Sequence, residues 1–132
     1  MENKDDVFKV ISDQVEEYKL DDNEITKNTI EIIKAMVSDS KVFIFMKGTP
    51  QVPQCGFSTN TLGILKQLKT PVKTFDVLSD FSIREEIKRF SNWPTIPQVY
   101  IDGKFIGGND IVTALFNSGE LSAMVNANII KN

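Results

Sequence analysis

Lys41-Val-Phe-Ile-Phe-Met-Lys-Gly-Thr-Pro-Gln-Val-Pro-Gln-Cys-Gly-Phe-Ser58 is the stretch on which the reading of this chain turns. Val42 to Met46 is β-branched and aromatic with no polar break, the pattern of a buried strand. Lys47 to Gln54 is punctuated by Gly48, Pro50 and Pro53 and reads as a loop. Cys55 follows, and from Gly56 to about Gln67 the residues Leu62, Leu65 and Leu68 mark the inward face of a helix. A cysteine therefore sits where a strand and loop hand over to a helix.

Working outward, Ile25, Ile30, Ile32, Ile33, Met36 and Val37 give a helical stripe over 24–37, with Asp22 or Asn23 as N-cap. On the other side, Val72 to Val77 reads as a second strand, and Ser79 as the cap of a helix reaching about Phe90, with Ile83 and Ile87 inside. After the Trp93–Pro97 segment, Gln98–Ile101 and Lys104–Ile106 flank Asp102-Gly103, a strong hairpin signal. Gly107-Gly108 opens a helix at Asn109 or Asp110. Ser118-Gly119 interrupts it before a last helix carrying Leu121, Met124, Val125 and Ile129. A β-α-β unit crosses over right-handed to a parallel pair, and the hairpin adds antiparallel strands. The expected fold is α/β, a thioredoxin-like fold with a four-stranded mixed sheet flanked by helices.

Charge divides the 132 residues unevenly. Over residues 1–24, nine acids against three lysines give −6, while the other nine acids and twelve bases give +3, for the net −3. Residues 1–22 read as an acidic N-terminal arm, helical or disordered: Val7, Phe8, Val10, Ile11, Val15 and Tyr18 recur at helical spacing amid dense charge. Residues 23–132 form one domain. An acidic head disfavours nucleic acid, whose phosphates call for clustered Lys and Arg. The longest apolar run is far too short to cross a bilayer, so no membrane partner is expected. The head lacks the look of a presequence or a secretory signal. A cytoplasmic location is expected, with the mitochondrial matrix as the alternative if a targeting segment was removed.

One cysteine and no histidine exclude an internal disulfide, a Cys-His or Ser-His pair and a histidine-rich zinc site. The chemistry must run through Cys55. A helix N-terminus carries about half a positive charge and unpaired N–H groups, which favour a thiolate, and Lys47 adds a full charge. Free cysteine, with a pKa of about 8.5, is only a few per cent thiolate at neutral pH. The alternative is a buried structural cysteine, common for a lone thiol.

Cys55-Gly-Phe-Ser58 is a C-x-x-C motif with serine in place of the second thiol. Together with Met46-Lys-Gly-Thr-Pro50, Asn92-Trp-Pro-Thr-Ile-Pro-Gln98 and Gly107-Gly-Asn-Asp110, in this order and at these spacings, it resembles the monothiol (CGFS-type) glutaredoxins over about residues 24–130. The resemblance implies a glutathione site. Lys47 and Arg84, which follows Ser82-Ile83, would take the glycyl carboxylate, and Phe57 would offer mainly backbone near the thiol. Thr95-Ile96-Pro97 resembles the family's T-x-P with a cis proline, where Ile96 would pair its backbone with the ligand's cysteinyl unit. Gly108 and Asn109 would hold the γ-glutamyl carboxylate on backbone N–H groups, and Asp110 the amino group. Asn109 replaces a cysteine often found there, so no second thiol acts at that position. Trp93 reads as core packing.

The resemblance further implies a [2Fe–2S] cluster at a homodimer interface, ligated by Cys55 of each copy and two glutathione thiolates. The chain would be a dimer when cluster-bound and a monomer when apo. It would act in cluster transfer and iron homeostasis, with apo iron–sulfur acceptors and a BolA-like protein as partners. A cluster takes four ligands, and one cysteine makes internal ligation impossible. The alternative function is a glutathione-dependent thiol-disulfide oxidoreductase working through Cys55. A third reading is a non-catalytic adaptor docking through its acidic arm.

Overall fold

Val42–Met46 (β1) is buried at all five residues, so it must be covered on both faces, and the pleat sends alternate side chains to opposite sides. Val42, Ile44 and Met46 join one apolar cluster, while Phe43 and Phe45 join the other. The structure, a computed structural model, describes residues 22–131, and side chains from 23 to 126. The acidic arm therefore lies, apart from Asp22, outside the described residues, as does the side chain of Ile129.

Around β1 the order of elements is α1 (Asp22–Ser38), β1, α2 (Gly56–Lys66), β2 (Val72–Asp76), a 3-10 turn (Val77–Ser79), α3 (Phe81–Ser91), β3 (Gln98–Ile101), β4 (Lys104–Gly107), α4 (Asn109–Ser118) and α5 (Glu120–Lys131). The strands lie in the order β2-β1-β3-β4. β1 pairs parallel with β2 and antiparallel with β3, and β3 pairs antiparallel with β4. Leu62, Leu65, Val112, Leu121 and Val125 bring α2, α4 and α5 onto one face. Ile33, Val37, Ile83 and Ile87 bring α1 and α3 onto the other. This is the four-stranded mixed sheet between helices that the pattern predicts. Asp102 and Gly103 both take positive φ, at 51° and 76°, as a two-residue hairpin turn requires. Among the described residues no helix is long and apolar enough to cross a membrane.

Local details depart from the sequence reading. Ser79 is not the cap of α3: the Asp80 carboxylate accepts the Ile83 N–H at 3.0 Å, while the Ser79 hydroxyl donates to the Asp76 carbonyl at 2.6 Å. Strand β2 ends at Asp76 because the Asp76 carboxylate caps the 3-10 turn through the Leu78 N–H. Asp22 and Asn23 lie inside α1. Of the stripe on α1, Ile33 and Val37 are buried, whereas Ile25 and Ile32 are exposed. The six apolar residues spread over about 160° of the helix, and Ile25 and Ile32 stand at the edge of that arc away from Ile33 and Val37, beyond the cover of the sheet.

Candidate functional site

The loop after β1 folds back on itself instead of wandering. Gln54 N–H donates to the Lys47 carbonyl at 2.9 Å and Thr49 N–H to the Val52 carbonyl at 3.2 Å, with a bridge between Gly48 and Pro53. Gly48 anchors this turn: its N–H donates to the Asp76 carboxylate at 2.8 Å. At φ +91° a Cβ there would stand 2.5 Å from the Val52 carbonyl oxygen, so only glycine fits. The fold-back returns the chain to the end of β1 and sets Cys55 beside Lys47.

Cys55 is the extended N-cap of α2, unpaired and half-buried. Its thiol is held below the usual cysteine range, and the largest cause is the backbone N–H of Ser58. Burial opposes this, while the Phe57 N–H, the Ser58 hydroxyl and, last, the Lys47 charge reinforce it. The helix terminus thus outweighs the lysine. Ser58, noted in the sequence only as a missing thiol, is fully buried, and its Oγ accepts the Lys47 N–H at 3.2 Å. One hydroxyl serves both the thiol and the strand end.

Two further segments wall the space in front of Cys55. One is Trp93–Pro97, in which the Ile96–Pro97 peptide is cis and the Ile96 side chain is buried. Ile96 can meet a ligand only with its backbone. The other is the start of α4, capped by Gly108. A Cβ on Gly108 would lie 3.2 Å from the Pro97 carbonyl oxygen and 3.4 Å from the Trp93 indole nitrogen, so glycine lets the two walls close up. Asn109 ties α4 to the cysteine's own helix. Its Oδ1 accepts from Asn60 Nδ2 at 2.7 Å and from the Thr61 hydroxyl at 3.0 Å.

These walls enclose an open cleft of about 490 Å³. All ten candidate residues line it: Lys47, Cys55 and Phe57 from the first wall, Arg84 from α3, Thr95, Ile96 and Pro97 from the second wall, and Gly108, Asn109 and Asp110 from the third. Four residues that sequence reasoning did not place also line it: Lys88, Trp93, Pro94 and Ile111. Lys88 follows Arg84 by four residues, one helical turn, and that spacing was the available signal. Trp93 corrects an expectation. It is 36% exposed, with one side of the indole against Phe105 at 5.9 Å between centroids and the other toward the cleft. Packing is only half its surroundings.

Chemically, the cleft offers a thiol biased toward thiolate, three cations (Lys47, Arg84, Lys88) and the N-terminus of α4, where anions bind well. It suits an anionic ligand with a sulfur able to meet Cys55. Among the described residues, no three of His, Cys, Asp or Glu cluster to hold a metal ion.

The glutaredoxin family model matches residues 42–106. A ycf64-like monothiol glutaredoxin of Synechocystis is 54% identical over 93 residues, 70% of this chain and 87% of that protein. A probable monothiol glutaredoxin 2 of Rickettsia typhi is 44% identical over 105 residues, 78% of this chain and 95% of that protein. The solution structure of reduced poplar apo GrxS14, 42% identical, superimposes with a TM-score of 0.66 over 79% of this chain and 93% of that one. Matches of this identity, reaching across most of each relative, make this chain a member of the monothiol glutaredoxin family.

Proposed function

We propose that the cleft binds glutathione with its sulfur beside Cys55, and that two copies of the chain carry a [2Fe–2S] cluster as cargo between them. The observation that carries this reading is the condition of Cys55. It is the chain's one thiol, half-buried in the wall of the cleft and favoured as thiolate by N–H groups of α2. Membership among the glutaredoxins supports glutathione as the ligand. Lys47, Arg84 and Lys88 answer its glycyl carboxylate, the Ile96 backbone its cysteinyl unit, the Gly108–Asn109 N–H groups its γ-glutamyl carboxylate, and Asp110 its amino group.

The residues present fit a cluster only in shared form. Four ligands are needed, and this chain supplies one. Cys55 of each copy and one glutathione thiolate from each cleft complete the set. Phe57 and Val52, 63% and 60% exposed near the cysteine, give the second copy apolar surface to cover. Cargo held half by exchangeable small molecules is suited to delivery to an acceptor protein, and a BolA-like protein in place of one copy belongs to the same proposal.

The lowered thiol range favours a second reading, glutathione-dependent oxidoreduction. In it the Cys55 thiolate attacks the glutathione sulfur of a mixed disulfide and expels the other thiolate, which takes up a proton. A second glutathione then reduces the Cys55–glutathione disulfide, leaving glutathione disulfide. One experiment separates the two: reconstitute the full chain with iron, sulfide and glutathione, and record the visible spectrum and mass beside Cys55→Ser. A coloured, glutathione-dependent dimer lost in the variant supports the carrier. A colourless monomer with brisk deglutathionylation overturns it in favour of the enzyme.

A further inference from the structure

Beneath the cleft lies a buried polar group that the proposed chemistry does not use. Gln98, the first residue of β3, is fully buried. Its Nε2 donates to the Trp93 carbonyl at 2.9 Å and to the Thr95 carbonyl at 3.3 Å. Its Oε1 accepts from the Tyr100 hydroxyl at 3.2 Å. These contacts admit one orientation of the carboxamide, because the flipped group would set oxygen against two carbonyl oxygens. Tyr100, 1% exposed, is ringed by Phe45, Phe90 and Phe105. Burial pushes its hydroxyl pKa up, so it remains a donor across the working range of pH.

The consequence follows from peptide geometry. The Thr95 carbonyl and the Ile96 N–H belong to one planar unit, and in a trans peptide they point to opposite sides. The Ile96–Pro97 bond is the cis one in this segment, which leaves Thr95–Ile96 trans. Holding the Thr95 oxygen inward therefore turns the Ile96 N–H outward, on the side where Thr95, Ile96 and Pro97 line the cleft.

We infer that Gln98 is a positioning residue: anchored by Tyr100, it fixes the Thr95–Ile96 peptide so that the Ile96 N–H is presented to the backbone of the bound ligand, as an edge strand presents its N–H. The inference deepens the glutathione reading and rests on it for the ligand's identity. Gln98, fully buried, touches no ligand itself and leaves Cys55 alone, since the groups that act on the thiol are Phe57 and Ser58 of α2 and Lys47.

The test compares the full chain with Gln98→Met, which keeps length and removes both donors, and with Tyr100→Phe, which removes only the anchor's hydroxyl. The double variant replaces both partners with apolar groups of similar shape, a change that cores tolerate better than one orphaned group. Three readouts are taken: the affinity for reduced glutathione, the pH profile of Cys55 alkylation, and the NMR shifts of the Thr95 carbonyl carbon and the Ile96 amide. Gln98→Met and the double variant should bind glutathione about tenfold more weakly, the worth of one well-placed hydrogen bond, with the Cys55 profile unmoved and the Thr95 and Ile96 signals shifted. Tyr100→Phe, which loosens the carboxamide but keeps its donors, should weaken binding by less than Gln98→Met does and shift those signals in the same direction. Unchanged affinity and unchanged Thr95 and Ile96 signals in a folded Gln98→Met or double variant would overturn the inference. If the parent chain takes up no glutathione, the ligand reading falls, and the Thr95 and Ile96 signals alone decide whether Gln98 sets that peptide.

Discussion

At the scale of single residues, the informative atom is the Cys55 sulfur. Its ionisation is set first by the Ser58 N–H, and the Lys47 charge comes last among the causes. Ser58→Ala keeps that N–H and removes only the hydroxyl, which still ranks ahead of the Lys47 charge, so Lys47→Gln should raise the midpoint of iodoacetamide alkylation against pH by less than Ser58→Ala does. The reverse order would put the lysine's charge ahead of the hydroxyl. Stability follows with a definite sign. A folded-state thiol held below the unfolded value, about 8.5, stabilises the native chain above that value, and the gain is lost as pH falls through the lower folded midpoint. The difference in urea midpoint between the chain and Cys55→Ser should grow as pH rises and level off above about 8.5. That Cys55 heads a helix was legible in the chain itself, from the Gly and Pro residues before it and the leucines after it. The rank of its stabilisers was not, because it depends on which N–H groups aim at sulfur once α2 is wound.

Between elements, the contact that matters most to the cleft is Asn109 against α2. Its carbonyl oxygen receives both Asn60 and Thr61 and so sets the N-terminus of α4 beside the helix of Cys55. Asn109→Ala should cost only about 1 kcal/mol, because Asn60 is exposed and the Thr61 hydroxyl keeps the Phe57 carbonyl at 2.9 Å, leaving no buried donor unpaired. Urea denaturation measures it, and a loss of about 3 kcal/mol or more would mean that the whole docking of α4 depends on this side chain. The helix that Asn109 begins was readable from Gly107-Gly108. The partner of its side chain was not, since 48 residues separate Thr61 from Asn109, and no local pattern spans that distance.

For the whole molecule, the central strand decides everything else. β1 divides its side chains between two apolar layers and runs directly into Lys47, so the same strand that holds the core together also aims the site. Phe45, fully buried, lies with its ring 4.9 Å from Phe43, 5.7 Å from Tyr100 and 6.2 Å from Phe75. Phe45→Ala should cost about 3–5 kcal/mol, a large share of a total stability of roughly 5–15 kcal/mol. Chemical denaturation would show a sharply lowered midpoint. A loss below about 1 kcal/mol would mean that the aromatic layer repacks without it.

By itself the chain of residues determined the kinds and order of its elements, the mixed sheet, the lone thiol at a helix head and the ten residues that come to share a cleft. The elements, the sheet and the place of the thiol are written in short-range signals: periodicity, β-branching, and glycine and proline punctuation; the ten residues came from motifs that resemble those of the monothiol glutaredoxins. Only the tertiary structure decided that Asp80 and not Ser79 caps α3, that Trp93 faces the cleft as well as the core, that Lys88 joins Arg84 there, and that Gln98 lies beneath the Thr95–Ile96 peptide. Those outcomes depend on which donor finds which acceptor, and which face finds cover, once distant segments meet. Hydrogen bonds of 3 Å and contacts between rings are settled by packing in three dimensions, where sequence spacing no longer measures distance.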